Sequence, residues 1–298
     1  MKLFAPEYYK DFVCIADKCK HSCCIGWEID IDSDTMEKYE EYKGSYAKEL
    51  KDSIDKSAEP CFKLDENERC PHLNERGLCN LILNVGEDFL CHICREHPRF
   101  YNDTPQGREV GLGMACEEAC RIILESDKYA NIVTVGECEG MIDDQLLDTP
   151  RYRKEIYAIL SDRNVPYSNR LDAIAEKFGV GNRPSDEKCR EIVDGLEYLD
   201  QDHKKLFENF SWSAEAGAEN EVYLERALAY YFYRHLAEAY CEEEIRVSVG
   251  LCLFLERLLA SLISVGIEPQ LAARIVSEEV EYSEDNTEAV RESFEVDS

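Results

Sequence analysis

Cys14-Ile-Ala-Asp-Lys-Cys19-Lys-His-Ser-Cys23-Cys24-Ile-Gly26-Trp27 is the stretch that decides how this chain is read. It opens a series continued by Cys61, Cys70, Cys79, the pair Cys91-His-Ile-Cys94, Cys116 and Cys120, so that eleven of fifteen cysteines lie in the first 120 residues. An ordinary core has no need of thiols at that density. A soft metal centre has, because thiolate is the preferred ligand for zinc, copper(I) and iron–sulfur clusters. Successive side chains point in different directions in a helix or a strand. Cys23 and Cys24 therefore reach one centre only if the backbone turns there; otherwise each faces a different centre. Cys19 and Cys23, four apart, come together if 19–24 forms a helical turn. Cys138, Cys189, Cys241 and Cys252 are isolated among helical residues and read as plain thiols.

A chain of 298 residues can bury a sizeable core in one or two domains. Its net charge is −29, with no basic stripe, which argues against nucleic acid and against an anionic membrane surface as partners. The start of the sequence has no apolar signal segment. The most apolar stretch, 247–267, is interrupted by Glu256 and Arg257 and reads as a buried helix, so no transmembrane segment is expected. The expected location is the cytoplasm, where thiols stay reduced and serve metals before disulfides.

Organisation changes near residue 126. Before it, elements are short and divided by turn-prone pieces such as 65–68, 74–77 and 102–105. Residues 27–31 alternate as a short strand, and Asp34 caps a helix over roughly 35–52. After it the pattern is helical: 152–160, 171–178, a helix from Ser185 to about 207, 223–240, and the leucine-rich run from Leu251 to Leu262. The tail from about Ser283 is expected to be a short exposed helix or frayed. The fold class expected is mainly α. A cysteine-rich, metal-stapled lobe of short elements (1–126) is expected to pack on a helical lobe (127–298) with an acidic tail. Metal ligation would supply the cross-links that so little apolar periodicity cannot.

Spacing leaves the metal open. Zinc takes four nitrogen or sulfur ligands, and His21, His72, His92 and His97 sit among the cysteines; a cubane cluster takes four thiolates, or three with one iron open. Position 26 is glycine, which breaks the usual C-x3-C-x2-C triad of radical S-adenosylmethionine enzymes. Gly111-Leu-Gly113 is too short for a dinucleotide loop.

The run from Cys14 through Gly26-Trp27 to Ile31-Asp32 resembles the opening of the flagellin lysine-N-methylases, the FliB-type proteins, within the YkgJ-like cysteine-cluster group. Similar blocks follow at Cys70-Pro71-x-Leu73, Leu78-Cys79, Gly86-Glu87, Leu90-Cys91-x2-Cys94, Pro98-Arg99 and Cys116-x-Glu118-x-x-Arg121, with a tyrosine-rich helix from Tyr223. Where the family pattern has Ser-Cys-Pro-Glu, this chain has Ala115-Cys116-Glu117-Glu118; Cys61 and Cys120 are extra. The resemblance implies a ligand set of Cys14, Cys19, Cys23, Cys24, Cys70, Cys79, Cys91, Cys94 and Cys116. It also implies an iron–sulfur cluster, [4Fe-4S] before zinc, and S-adenosylmethionine-dependent methylation of flagellin lysines. Nine thiols serve two clusters, or one cluster and some structural thiols. No residue stands out as catalytic or cofactor-binding; Glu118 and Tyr101 are candidates by position to assist loss of the lysine proton. The alternative is a zinc- or iron-binding cysteine-cluster protein without catalysis.

Overall fold

The computed structural model describes residues 1–181, 185–209, 212 and 217–295. The chain divides into two compact units. One comprises Met1–Phe12, Arg99–Ala115 and Ala119–Ser298; the other, Val13–Pro98 with Cys116–Glu118, carries ten of the cysteines.

The first unit is mostly helical but is built on a four-stranded sheet. Its strands run in the order Arg99–Thr104, Gly107–Leu112, Lys2–Pro6, Ile132–Glu137. Lys2–Pro6 pairs parallel with Gly107–Leu112 (Leu3 opposite Arg108) and antiparallel with Ile132–Glu137. The boundary at 126 expected from composition differs from this division: the strands at 2–6 and 99–112 belong with the helical unit. A sheet whose neighbours lie a hundred residues apart leaves no local periodicity. The piece 102–105 proves to be the end of a strand and the first residue of a hairpin turn, where Thr104 Oγ1 donates to Gly107 O (2.9 Å). Gly107 is required there, because a Cβ would stand 2.5 Å from the Lys2 carbonyl at a φ of +147°.

The helices of this unit follow the apolar patterning closely. Thr149–Leu160 is capped by Asp148, whose side chain accepts from Arg151 N, and Asp186–Gly195 by Ser185. The single helix expected from Ser185 to about 207 is two, Asp186–Gly195 and Gln201–Asn209; Pro184 lies outside the described residues. Glu221–His235 and Glu242–Ser264 pack against each other, and among the described residues the latter is the one helix long and apolar enough to cross a membrane. Eighty-three per cent of its most apolar window is buried inside the protein, and Glu256 accepts from Tyr167 OH (3.1 Å), the position of a core helix. The tail is less exposed than expected: Glu284–Glu292 buries Asn286 and Val290.

Charged groups in this core are paired. Arg153 meets Glu109, and Glu225 accepts from Arg170 (2.8 Å), Arg163 (2.9 Å) and Tyr129 (2.8 Å). Burial pushes the Glu225 carboxyl up, but the Arg163, Arg170 and Tyr129 hydrogen bonds outweigh it and hold it below the usual carboxylate range. Glu225→Gln leaves buried Arg170 with only the part-exposed Glu221, 3.8 Å away, as counter-charge and is expected to cost up to roughly 3 kcal/mol, read from the urea midpoint. Because the folded carboxyl is depressed, this stabilisation is present above the unfolded carboxylate range and is lost as pH falls through the folded value. The gap between wild type and variant should close in acid.

The cysteine-rich unit has short elements: helices Ser33–Glu41, Ala47–Asp52, Asn80–Asn84 and His92–Glu96, and a two-stranded ladder of Ile54–Asp55 with Cys61–Phe62. The helix expected over 35–52 is interrupted, since the Tyr42 backbone turns extended before Gly44. Asp32, not Asp34, is its cap. The extended stretch at 27–31 is present, tied by isolated bridges Ile25–Arg69 and Asp30–Cys61.

Candidate metal centre: the cysteine neighbourhoods

The core of the cysteine-rich unit is small and contains the thiols themselves. Cys70 and Cys91 are buried with Ile29, Ile31, Tyr39, Leu50, Ile54, Phe62 and Leu81, and Cys24, Cys79 and Cys94 pack against that group. No disulfide joins any of the described cysteines.

These five come from three segments, two of them joined by backbone hydrogen bonds and the third packed on the same core. Ser22 O accepts from Ile25 N (3.2 Å) and Ser22 Oγ from Cys24 N (3.3 Å), forming a turn that Gly26 leaves at a φ of +90°. From that turn Cys24 O accepts from Cys70 N (2.8 Å) and Glu68 O from Gly26 N (3.0 Å), so the Cys24 strand lies on the Cys70 strand. Cys79 returns to the same place through a hairpin closed by Asn74, whose Oδ1 accepts from Arg76 N and Leu78 N, with Gly77 at positive φ. Cys91 and Cys94 arrive from the third segment and share a thiol hydrogen bond that lowers Cys91 and raises Cys94. Burial first, then the charges of Cys24, Cys79 and Cys91, push Cys70 up to about 12.

A second neighbourhood forms on the other side of Cys23. Trp27 Nε1 donates to the Cys23 carbonyl (2.7 Å), and the Cys23 thiol lies within electrostatic reach of Cys116 and Cys14. Cys19 reaches the Cys116 turn through Glu117. One carboxylate oxygen, Glu117 Oε2, accepts from Lys20 N (2.7 Å), His21 N (3.2 Å) and the Cys19 thiol (3.6 Å). Burial, with the nearby Glu117 and Cys116 charges, pushes Cys19 up to about 11. Cys14 and Cys23 are exposed and Cys19 and Cys116 half-buried, whereas Cys70 and Cys91 are fully buried. Cys23 and Cys24 share a hydrogen bond in which Cys24 is lowered and Cys23 raised.

All nine cysteines of the ligand set thus fall in one unit, and the extra ones stand apart from them. Cys61 faces Glu28, Asp55 and Asp30, and the Cys120 thiol donates to Gln270 O (3.4 Å) in the sheet unit. Cys189 and Cys252 are buried core residues of that unit, as their isolation suggests; Cys138 is half-buried and Cys241 exposed.

Among the histidines, His72 has no nitrogen left for a metal: Nδ1 meets Tyr46 OH (3.0 Å) and Nε2 meets Ser53 Oγ (3.1 Å), while burial lowers its pKa to about 4. It is a neutral brace between Ala47–Asp52 and the Cys70 segment. Among the described residues no group of three or more His, Cys, Asp or Glu side chains is arranged to hold a metal ion. A single zinc draws four ligands tightly round one point, whereas a polynuclear cluster spreads its thiolates over several metal atoms. The donors that gather here are thiols, with the Glu117 carboxylate against Cys19.

Two carboxylates that position these loops went unread in the sequence. Glu117 stands where the resembling pattern has proline, and its role depends on a partner ninety-six residues away. Asp32 accepts from Thr35 N (3.0 Å) and from His92 N (2.7 Å), so it caps Ser33–Glu41 and also fixes the start of the helix that follows Cys91. Its spacing to Thr35 is a capping signal; the second bond has no local signal. Of the two residues considered for proton transfer, Glu118 belongs to the cysteine-rich unit and Tyr101 lies half-exposed on the strand Arg99–Thr104 of the other. The tyrosines from Tyr223 onward are mainly core: Tyr230, Tyr231 and Tyr233 are buried, and Tyr233 OH donates to Val110 O (3.1 Å). A cleft of about 440 Å³ lies wholly within the sheet unit, between Tyr152, Phe178 and Ile245, and its carboxylates are already paired: Glu155 with Lys177, Glu242 with Tyr152, Glu243 with Arg246.

No family model matches the chain, and no solved structure does. Three named proteins are similar to it. The flagellar biosynthetic protein FliU of Salmonella muenchen is 28% identical over 162 residues, which is 52% of this chain and 94% of that protein. The lysine-N-methylases of Salmonella choleraesuis and Salmonella typhimurium are each 29% identical over 139 residues, 42% of this chain. The matched part is a third of the length of those two methylases. The chain is therefore similar to a flagellar biosynthetic protein over 52% of its length and to lysine-N-methylases over 42%.

Asp32→Ala removes both of its backbone contacts. It is expected to cost roughly 1–2 kcal/mol from the lost cap alone, seen as a lower urea midpoint, and to open the buried Cys91 to a thiol reagent in the folded protein.

Proposed function

We propose that this chain is a protein-lysine N-methyltransferase acting on flagellin, drawing its methyl group from S-adenosylmethionine and holding an iron–sulfur cluster, of [4Fe-4S] type, on its cysteines. The observation that carries this reading is the gathering of Cys14, Cys19, Cys23, Cys24, Cys70, Cys79, Cys91, Cys94 and Cys116 in one unit, together with the similarity to a flagellar biosynthetic protein and to two lysine-N-methylases. Fifteen cysteines without a disulfide among them fit a reducing, cytoplasmic setting.

The chemistry asks two things of the chain. Methyl transfer forms an N–C bond and breaks the S–CH3 bond of the cofactor, so the lysine amine must first give up its proton to a base. Glu118 and Tyr101 are candidates for that role by their position in the sequence. A bound cluster would supply a redox-active, electron-accepting metal next to the thiols; the protein's part is to hold the cysteine loops, through Asp32, Glu117 and the braced His72. The second reading, a metal-binding cysteine-cluster protein without catalysis, is favoured by the limited share of the methylases that this chain matches.

Mass spectrometry of flagellin co-expressed with the chain separates the two. The methylase reading predicts added methyl mass on lysines, abolished by Cys91→Ser with Cys94→Ser. Unmodified flagellin beside a chain that retains its metal contradicts it and leaves the binding protein.

A further inference from the structure

We infer that the nine cysteines form two separate ligand sets, divided between the adjacent residues Cys23 and Cys24, and that the chain holds two thiolate-bound metal centres. Cys14, Cys19, Cys23 and Cys116 make the first set, at the surface. Cys24, Cys70, Cys79, Cys91 and Cys94 make the second, inside the core of the unit. This deepens the reading of the chain as a cluster protein and rests on that reading for the identity of the metal as iron.

The partition follows from backbone geometry. The turn at Ser22–Ile25 is where the chain changes neighbours. Before it, Cys19 and the backbone of 20–21 are pinned by Glu117 to the turn that carries Cys116. After it, the Cys24 carbonyl is bonded to Cys70 N (2.8 Å) and the Cys70 segment leads to Cys79 through the Leu73–Cys79 bridge. The Cys23 and Cys24 thiols touch each other at this boundary; beyond that contact Cys23 lies near Cys116 and Cys14, and Cys24 packs against the apolar core. The apolar core contains or touches all five thiols of the second set and none of the first. Four thiolates are the complement of one [4Fe-4S] or [2Fe-2S] centre, so the first set is complete without borrowing from the second, and the second has one thiolate more than it needs. Their settings differ as well. The first set includes two exposed thiols and is the one that solvent or a small cofactor reaches, while the second does the work of core residues in a unit with little other apolar mass.

Glu117 is the positioning residue of the first set. It ties the Cys19 loop to the Cys116 turn with three donors on one oxygen. Glu117→Ala keeps all nine thiols and frees that loop, so it should weaken metal retention at the first set and leave the second unchanged.

The full-length protein, purified without oxygen and reconstituted with ferrous iron and sulfide, provides the test. Iron and acid-labile sulfide are counted per chain, with circular dichroism to verify folding. The proposal expects two clusters' worth in the wild type. It expects Cys116→Ser, and Cys14→Ser with Cys19→Ser, each to lose about half of the iron and sulfide while the fold is kept. Glu117→Ala should lose iron faster than wild type under a chelator, in one of two phases. The first-set variants are half-buried or exposed and leave the core intact, so the outcome does not depend on the buried-set variants folding. One cluster's worth in the wild type overturns the proposal. So does a folded Cys116→Ser protein that keeps all its metal, or one that loses all of it. Two zinc ions per chain and no sulfide would sustain the two sets and sink the iron–sulfur reading. Two clusters without methylation of flagellin would sustain the sets and sink the methylase.

Discussion

The cysteine-rich unit depends on one backbone event, the turn through Ser22–Ile25, where two adjacent thiols that touch each other meet different further neighbours. Its consequences are visible in the hydrogen bonds. The carbonyl of Cys24 is taken by Cys70, the carbonyl of Cys23 by the Trp27 indole, and Gly26 occupies the positive-φ position that lets the chain leave the turn. Thiols in a core add little cohesion as small apolar groups; bound to metal they become cross-links, and the binding energy of the metal becomes folding energy.

Around that turn the unit is held by buried or half-buried polar groups more than by apolar area. Asp32 spans the starts of two helices that are sixty residues apart in sequence, and Glu117 gathers three donors onto one oxygen. His72 is kept neutral by burial and satisfied at both nitrogens by a tyrosine and a serine. Such groups fix loop geometry at modest net energy per bond, which suits a site whose ligands all sit on loops and short helices. The sheet unit is stabilised differently, through a long buried helix and enclosed ion pairs such as those of Glu225 and Arg153.

The sequence made the helices of the second half legible because their apolar residues recur with a 3.6-residue period and because Asp148 and Ser185 are ordinary caps. It made the cysteine set legible because nothing else explains such density. It did not disclose the four-stranded sheet: Lys2–Pro6 pairs with a strand more than a hundred residues away, and the burial of Gly107–Leu112 shows no alternation. Nor did it disclose how the thiols are divided. Local stereochemistry leaves Cys23 and Cys24 either sharing a centre at a backbone turn or facing different ones; which cysteines neighbour each of them is set by Glu117, by the Cys24–Cys70 backbone hydrogen bond and by the Asn74 hairpin, all of which require the folded chain. The histidines looked like ligands by position, and for His72 only its two hydroxyl partners remove it.

The division of the thiols can be measured without any metal. A short bifunctional thiol reagent applied to the reduced, metal-free, folded protein, followed by proteolysis and mass spectrometry, reports which cysteines are neighbours. The account predicts links within Cys14, Cys19, Cys23 and Cys116, links within Cys24, Cys70, Cys79, Cys91 and Cys94, and no crossing except at Cys23–Cys24. Abundant links from Cys19 or Cys116 to Cys70, Cys79 or Cys94 would contradict it.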